Sequence, residues 1–469
     1  MKKTLIALGA FALSAAGMAQ NAYDVLNYNQ MDPIMGTARY SSMAGAFGAF
    51  GGNPSVAKDN PAGLGVYKCF DITFTPSLYL DNDKDVSMCL NNFAVVVNFK
   101  NTGREHGYVT SSLGITYNRL RNYSRYTSVR SNNFSGASAS DNFGLNATPD
   151  AIYYRAYESG MVDDEGYSKF SLNDNFDKTS RYSESGHAGE WDIAYGLNIS
   201  NRVYVGASMG VVSLEYSQKA LYDETSLNEN RDNFYLDNYY RVEGAGINFK
   251  VGAIVKATDF LRVGVSVHTP TFYNVDEEAS VEMDYNNQNP VESEIDYSAY
   301  NYNLNSPFKA EASLGFVIGR RALIGVQYDF EKYSGMRLKD HDMVQMDDEN
   351  DFISNNFNNV HTLRLGAEVK IIDQLALRLG YAYMSSPVDY DKGFGTDSYF
   401  FRPLSLPHAT QYVTGGIGYE GEHFYCDLAY VFRNQKTHYY DMLPKDASSD
   451  VWELNMKNRN IVATFGWRF

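Results

Sequence analysis

The closing stretch "NIVATFGWRF" constrains the fold more tightly than any other part of the chain. Ile461, Ala463, Phe465, Trp467 and Phe469 share one parity, and Asn460, Thr464 and Arg468 share the other. A period of two belongs to a β-strand, whose successive side chains point to opposite faces. The alternation is equally plain in "WDIAYGLNI", where Trp191, Ile193, Tyr195 and Leu197 oppose Asp192, Ala194, Gly196 and Asn198. It returns in "LRVGVSVH", "FKAEASLGFVI", "TLRLGAEVK" and "LALRLGYAY". In each, one face is apolar and the other carries Gly, Ser, Asn or a charge. A single soluble core cannot absorb so many apolar strand faces, whereas a closed barrel in a bilayer turns all of them outward to lipid. The expected fold class is all-β, an antiparallel transmembrane β-barrel.

Turn lengths supply the strand count. Short connections are expected near Asn101 to Gly107 and at Asn201-Arg202, Thr258-Asp259, Arg320-Arg321, Ile372-Asp373 and Gly421-Glu422. Long polar loops are expected at about 81–87, 123–187, 218–237, 276–306, 336–357, 387–407 and 441–452. Six hairpins account for twelve strands, and a first strand from about Val66 to Leu80 and a last from about Trp452 to Phe469 make fourteen. Short turns on one side and long loops on the other is the outer-membrane arrangement, with the short side and both termini periplasmic.

The remaining composition fits such a barrel. Residues 1–19, with Lys2, Lys3, an apolar run and Gly17-Met18-Ala19, are expected to be a signal peptide, and no Cys follows the cut to take a lipid anchor. Beyond it no run of 18 or more apolar residues occurs, so no spanning helix is expected. Tyr and Phe number 38 and 27, enough to line two membrane interfaces. A formal charge of −16 argues against a nucleic-acid partner. Cys69, Cys89 and Cys426 are an odd set without metal-ligand spacing; Cys89 and Cys426 fall on the apolar parity of their strands and read as small hydrophobes.

Residues 66–469 form the expected barrel, whose bore leaks unless something fills it. Residues 20–65 are expected to do so as an internal plug. This segment contains "SSMAGAFGAFGG" and then "GGNPSVAKDNPAGLGVY", almost free of long side chains. Glycine lets a backbone lie close against a wall. Each Asn-Pro pair starts a rigid turn, because proline fixes its own φ and steers its neighbour out of the helical region.

"ARYSSMAGAFGAFGGNPSVAKDNPAGLGVY", followed by fourteen strands and a terminal Phe, resembles the FadL family of outer-membrane transporters for long-chain fatty acids and aromatic hydrocarbons. The resemblance in architecture covers the mature chain, and "NPAGL" from Asn60 to Leu64 is its most specific motif. It implies passive uptake of a hydrophobic small molecule, captured by extracellular loops, held in an apolar pocket and released in part sideways into the membrane. The gate implied is the hatch, here Gly51, Gly52, Asn53, Pro54, Asn60, Pro61, Ala62, Gly63 and Leu64. Gly51-Gly52 stands where the family often has an acidic pair. The resemblance further implies a monomer in the outer membrane of a Gram-negative type of cell, among lipid and lipopolysaccharide. Its assembly would use the barrel-assembly machinery, reading the strand that ends at Phe469.

Other features carry candidate chemistry. In "TPDAIYYRAYESGMV", Ile152, Tyr153, Ala156 and Tyr157 would share one face of a short helix, either a ligand-capture surface or a loop packing its own aromatics. Acidic runs in 276–306 and at Asp347 to Asp351 lack the spacing of a calcium loop and read as solvated faces. "GASMG" matches a nucleophile-elbow pattern, but Gly206, Ser208 and Gly210 all fall on the lumen parity of a strand, and no helix follows. The chain is expected not to be an enzyme, and no cofactor or metal is expected. Lumen-parity polar groups include Arg262, His268, Arg364 and Arg378, which either tie plug to wall or meet a ligand carboxylate. The rival reading is a surface receptor for haem or another hydrophobic host molecule, with His341, Met343 and Met346 as candidate haem ligands.

Overall fold

The structure, a computed structural model, describes residues 22–81, 86–100, 106–135, 138, 161, 175–227, 231–285, 298–389, 404–440 and 451–469. Fourteen antiparallel strands close into a barrel. They are β1 (Asp71–Leu80), β2 (Val86–Lys100), β3 (Tyr108–Asn122, continued by Arg125–Phe134), β4 (Phe176–Ile199), β5 (Val203–Ser226) and β6 (Asn233–Lys256). Next come β7 (Leu261–His268 and Phe272–Tyr285), β8 (Ser298–Asn305 and Phe308–Ile318) and β9 (Ala322–Lys332 and Arg337–Asp340). The last are β10 (Val360–Ile372), β11 (Leu375–Met384), β12 (Leu404–Glu420), β13 (Phe424–Tyr440) and β14 (Val451–Arg468). β1 closes the ring by pairing with both β2 and β14, in registers that include Phe74↔Phe93 and Phe74↔Phe465.

All six short connections are hairpins, joining β2–β3, β4–β5, β6–β7, β8–β9, β10–β11 and β12–β13. The β4–β5 turn shows why it is short. Ser200 and Asn201 both take left-handed φ, 55° and 54°, at the centre of a tight turn that Arg202 N closes by donating to Ile199 O at 3.1 Å.

The strands outrun the stretches expected to be loops. β4, β5 and β6 are 24 residues each, and strand occupies Arg125–Phe134, much of 218–237, and both ends of 276–306. Residues 336–357 hold a strand segment and a helix (Asp347–Asn356), not an open loop, so the acidic run there forms a helical first turn, where negative charge suits the helix dipole. The first strand also starts later than Val66, at Asp71.

The reason is an exchange of faces partway up the wall. Near the hairpins, β5 turns Val203, Val205, Met209 and Val211 outward and Gly206, Ser208 and Gly210 inward; further up it turns Ser213, Glu215 and Lys219 outward and Leu214, Tyr216 and Tyr222 inward. β6 does the same, passing from Val251, Phe249 and Ile247 to Glu243 and Arg241 on the outside. About 9–11 tilted residues span a bilayer. Above that band the outer face meets water, and the apolar parity that marks a lipid-facing strand is lost. Within the band the outer face is bare of protein: Leu379 is 71% exposed.

β2 departs from simple alternation. Its register with β1 slips between Thr75 and Pro76, which brings Cys89 opposite Ser77, with its Sγ 3.0 Å from the inward-facing Ser77 Oγ. Cys89 is thus not on the lipid face where uninterrupted parity puts it. Cys426, opposite Phe465, keeps the outward parity. A second irregularity lies at the middle of β7 and β8. Thr269 to Thr271 and Ser306-Pro307 interrupt neighbouring strands at one level, and Pro270 and Pro307 have no N–H to donate to a ladder.

Inside the ring lies the chain ahead of β1. It forms α1 (Asp24–Asn29), α2 (Ala38–Ser42) and two 3-10 turns, Pro54–Lys58 and Pro61–Val66. Among the described residues no helix is long and apolar enough to cross a membrane.

Candidate functional site

Where the N-terminal segment meets the wall, the wall is glycine. Gly196, Gly206 and Gly252 are paired in turn across β4, β5 and β6. Gly315, Gly325, Gly366 and Gly380 are paired across β8 to β11. A Cβ at Gly206 would lie 2.5 Å from Ala62 N; at Gly366, 2.5 Å from Met43 O; at Gly380, 2.5 Å from Ala44 N; at Gly315, 2.7 Å from the Phe50 ring. The two arcs let the segment press directly on the wall, backbone on backbone at Gly206, Gly366 and Gly380 and side chain on backbone at Gly252 and Gly315.

The Asn-Pro pairs build the part that rests on the first arc. Asn53 and Asn60 each cap a 3-10 turn: the Asn53 Oδ1 accepts from Ser55 N at 3.0 Å and the Asn60 Oδ1 from Ala62 N at 3.2 Å. Pro54 and Pro61 sit at the first helical position, where their missing N–H costs nothing. Asn60 also donates from Nδ2 to Gly48 O (2.8 Å) and to Ala253 O on β6 (3.3 Å). Gly51 and Gly52 have left-handed φ, 65° and 67°; a Cβ at Gly51 would strike Gly63 O at 2.7 Å. Gly63 packs as tightly on Val56, and Leu64 is fully buried beside Val96 and Ala194.

Ionic contacts lock the segment in place. Arg364 on β10 is fully buried and donates to Pro33 O (3.1 Å), Gly45 O (3.2 Å), the Tyr40 hydroxyl (2.8 Å) and Asp59 Oδ2 (3.0 Å). Its other terminal nitrogen lies 2.5 Å from Asp329 and 3.5 Å from Glu311 on the wall. Asp59 also receives the Tyr40 hydroxyl. Burial works against the Asp59 carboxylate, but Arg364, Lys58 and Lys309 outweigh it and hold that carboxyl well below the usual range. A second chain of charges runs from Arg39, bidentate on Glu368 at 2.8 Å for both bonds, through Arg378 (2.6 Å) to Asp427 (2.5 Å). His268 donates from Nε2 to Asp59 O at 2.6 Å, and Arg262 from Nη1 to Phe50 O at 3.1 Å. The four polar residues singled out in the sequence thus all face inward: Arg262, His268 and Arg364 contact the segment directly, and Arg378 does so through Glu368.

Above the arcs the bore changes character. α1 lies in an apolar cluster rich in tyrosine, including Tyr123, Tyr216, Tyr302 and Tyr333. The Tyr28 and Tyr302 hydroxyls are 2.5 Å apart, Tyr123 donates to Tyr28 O at 2.6 Å, and the Tyr23 ring sits 4.9 Å from Phe352 of the helix Asp347–Asn356. Between cluster and arcs is a cavity of about 110 Å³ whose lining includes Met31, Leu120, Tyr273, Lys58, Thr269 and Pro307.

Several candidates do not come together. Ile152, Tyr153, Ala156 and Tyr157 lie outside the described residues. His341 bonds Asn301 at 3.0 Å, Met343 is exposed, and Met346 packs against the apolar cluster, so these three face different surroundings. Ser208 of "GASMG" is in mid-strand, its Oγ 3.5 Å from Ala57 O. The residues missed were Lys58 and Asp59. Their signal was available, since they are the sole charges between Gly51 and Tyr67.

The model of a family described as outer membrane protein transport protein (OMPP1/FadL/TodX) matches residues 35–393. Among solved structures the chain is similar to the CymD monoaromatic hydrocarbon channel at 10% identity and TM-score 0.55, over 94% of this chain and 99% of that one. It is similar to the toluene transporter TodX of P. putida at 11% and 0.54, over 93% and 99%, and to a FadL homologue of Pseudomonas aeruginosa at 12% and 0.55, over 94% and 99%. Identities this low speak for the fold alone, the closed fourteen-stranded barrel. No curated protein sequence matches the chain.

Proposed function

The chain belongs to the outer membrane protein transport protein family (OMPP1/FadL/TodX), outer-membrane carriers of hydrophobic compounds, and from that premise we propose passive uptake of molecules such as long-chain fatty acids, gated by its own N-terminal segment. The observation that carries the gating is the seat itself. The segment touches the wall through backbone on glycine, polar anchors and small separate apolar contacts such as Leu64 on Val96 and Ala194, an interface in patches rather than one continuous core. The solute enters the tyrosine-rich cluster from the extracellular side and displaces α1, whose six residues are too few to hold a helix unaided. Below, the way down is lined by Arg39, Glu368, Arg378 and Asp427, which repels an apolar tail. The break in β7 and β8 beside the cavity offers the alternative of leaving sideways into lipid, which spares the solute the cost of about 25 cal/mol for each Å² of apolar surface exposed to water.

Two measurements test this. Bacteria lacking their own fatty-acid carrier should regain uptake of labelled oleate when they make this chain, and lose it again with Asn60→Ala/Pro61→Ala at equal surface level. Deletion of residues 41–62 should raise ion conductance in planar bilayers. Normal uptake in the first variant together with unchanged conductance in the second rejects the gate.

A further inference from the structure

Just above the lipid band the outer wall carries opposite charges on its two sides. On β14 the outward side chains Phe469, Trp467, Phe465, Ala463 and Ile461 take up nine positions, a length that fits the about 9–11 tilted residues needed to span a bilayer. The next two outward side chains are Arg459 and Lys457, both exposed. On β13 the band runs from Phe424 to Phe432 and is followed by Asn434 and the exposed Lys436. Phe432 is opposite Arg459 and Asn434 opposite Lys457, so Lys436 is the diagonal neighbour of Lys457. Three like charges thus share one patch of sheet at diagonal spacings of about 7–8 Å, where they repel one another. Among the described residues none of the three has an ion-pair partner. Glu453, the next outward carboxylate along β14, lies beyond Lys457 and faces His438 at 3.7 Å.

An aliphatic surface lies directly beneath and beside these cations. Arg459 is opposite Leu80 of β1, and Leu80 is opposite Val86 of β2. One step lower the same two strands turn Leu78 and Met88 outward, 41% and 77% exposed. Across the barrel the charge is reversed. Glu215 of β5 is opposite Glu243 of β6, and Glu243 is opposite Asp276 of β7, each four residues beyond Val211, Ile247 and Phe272 of the lipid band. An anion at the level of the lipid headgroups is therefore drawn to the β13–β14 side and driven from the β5–β7 side.

We propose that Lys436, Lys457 and Arg459 bind the phosphate groups of an acylated, phosphate-bearing lipid of the outer leaflet, whose chains lie against Leu78, Met88 and Ile461. The lipid is bound on the outside of the wall and is no cargo of the bore. The depth of the patch selects a lipid over a soluble anion, because the cations sit where the apolar band ends and a headgroup begins. The guanidinium of Arg459 meets a phosphate through two parallel hydrogen bonds, and the two ammonium groups add point charge beside an anionic membrane surface. Binding on one side alone gives the barrel a fixed orientation towards its neighbours in the leaflet, with the acidic wall left free of this lipid.

The test is native mass spectrometry of the full chain in neutral detergent, titrated with bis-phosphorylated lipid A, with the same lipid after removal of both phosphates, and with sodium phosphate. Wild type should bind the phosphorylated lipid at least ten-fold more tightly than its dephosphorylated counterpart, and the preference should shrink as salt is raised. Lys436→Gln/Lys457→Gln/Arg459→Gln should remove the preference while leaving binding of the dephosphorylated lipid within two-fold, which a misfolded barrel would not do. Lys436→Arg/Lys457→Arg should keep it, and so should Arg241→Gln on the acidic wall. Equal binding of the two lipids by wild type, or a preference that survives the triple variant, overturns the site. Sodium phosphate bound as tightly as the phosphorylated lipid makes this a site for free anions and overturns the lipid. Loss of the preference in Arg241→Gln overturns the placement on β13 and β14.

Discussion

The lower and upper halves of this barrel are made from the same strands and solve opposite problems. In the lower half lipid lies outside, so Val251 and Met209 face outward, and the interior is polar, sealed by glycine against backbone and by the Arg364 and Arg378 networks. In the upper half water lies outside, so Glu215 and Glu243 face outward, and Tyr216, Tyr240 and Tyr302 make an apolar interior around α1. Which face of a strand is apolar is decided by the surrounding medium. The N-terminal segment crosses the boundary and is held in two ways, by charge and backbone below and by aromatic burial above.

The largest break in this contrast is Arg364→Ala. It leaves Asp59, Asp329 and Glu311 in the lower interior with only Lys58 and Lys309 of the cations that act on Asp59, and removing one partner of a buried ionic cluster costs about 3–5 kcal/mol. Urea unfolding of the refolded barrel should show that loss together with higher conductance; an unchanged midpoint would mean the anchor is dispensable. Next, Val251→Arg places a charge on the lipid band and should lower stability by about 2–4 kcal/mol, whereas Arg241→Val, higher on the same strand and facing the same way, should stay within about 0.5 kcal/mol. Equal effects at the two positions erase the boundary between the halves. The smallest effect distinguishes the glycines. Gly206→Ala drives a methyl into Ala62 N at 2.5 Å and should loosen the plug, costing about 1–3 kcal/mol by overpacking. Gly244→Ala in the upper half, 3.3 Å from its nearest neighbour, should leave conductance unchanged.

Strand number, hairpin positions and lipid-facing parity were legible in the sequence because they depend on local order: a two-residue period, and turns that residues such as Ser200-Asn201 adopt by themselves. So was the turn-forming character of Asn53-Pro54 and Asn60-Pro61, where cap and proline are neighbours. The continuation of β4 to β6 above the bilayer was not, since an alternation with polar residues outside and tyrosines inside reads like a polar loop until the inner face has something to bury against. Nor was the pairing of Arg364 with Asp59, 305 positions apart. Closure of the ring brings those residues together, and a charge has no partner preference along the chain until folding removes the water that screens it.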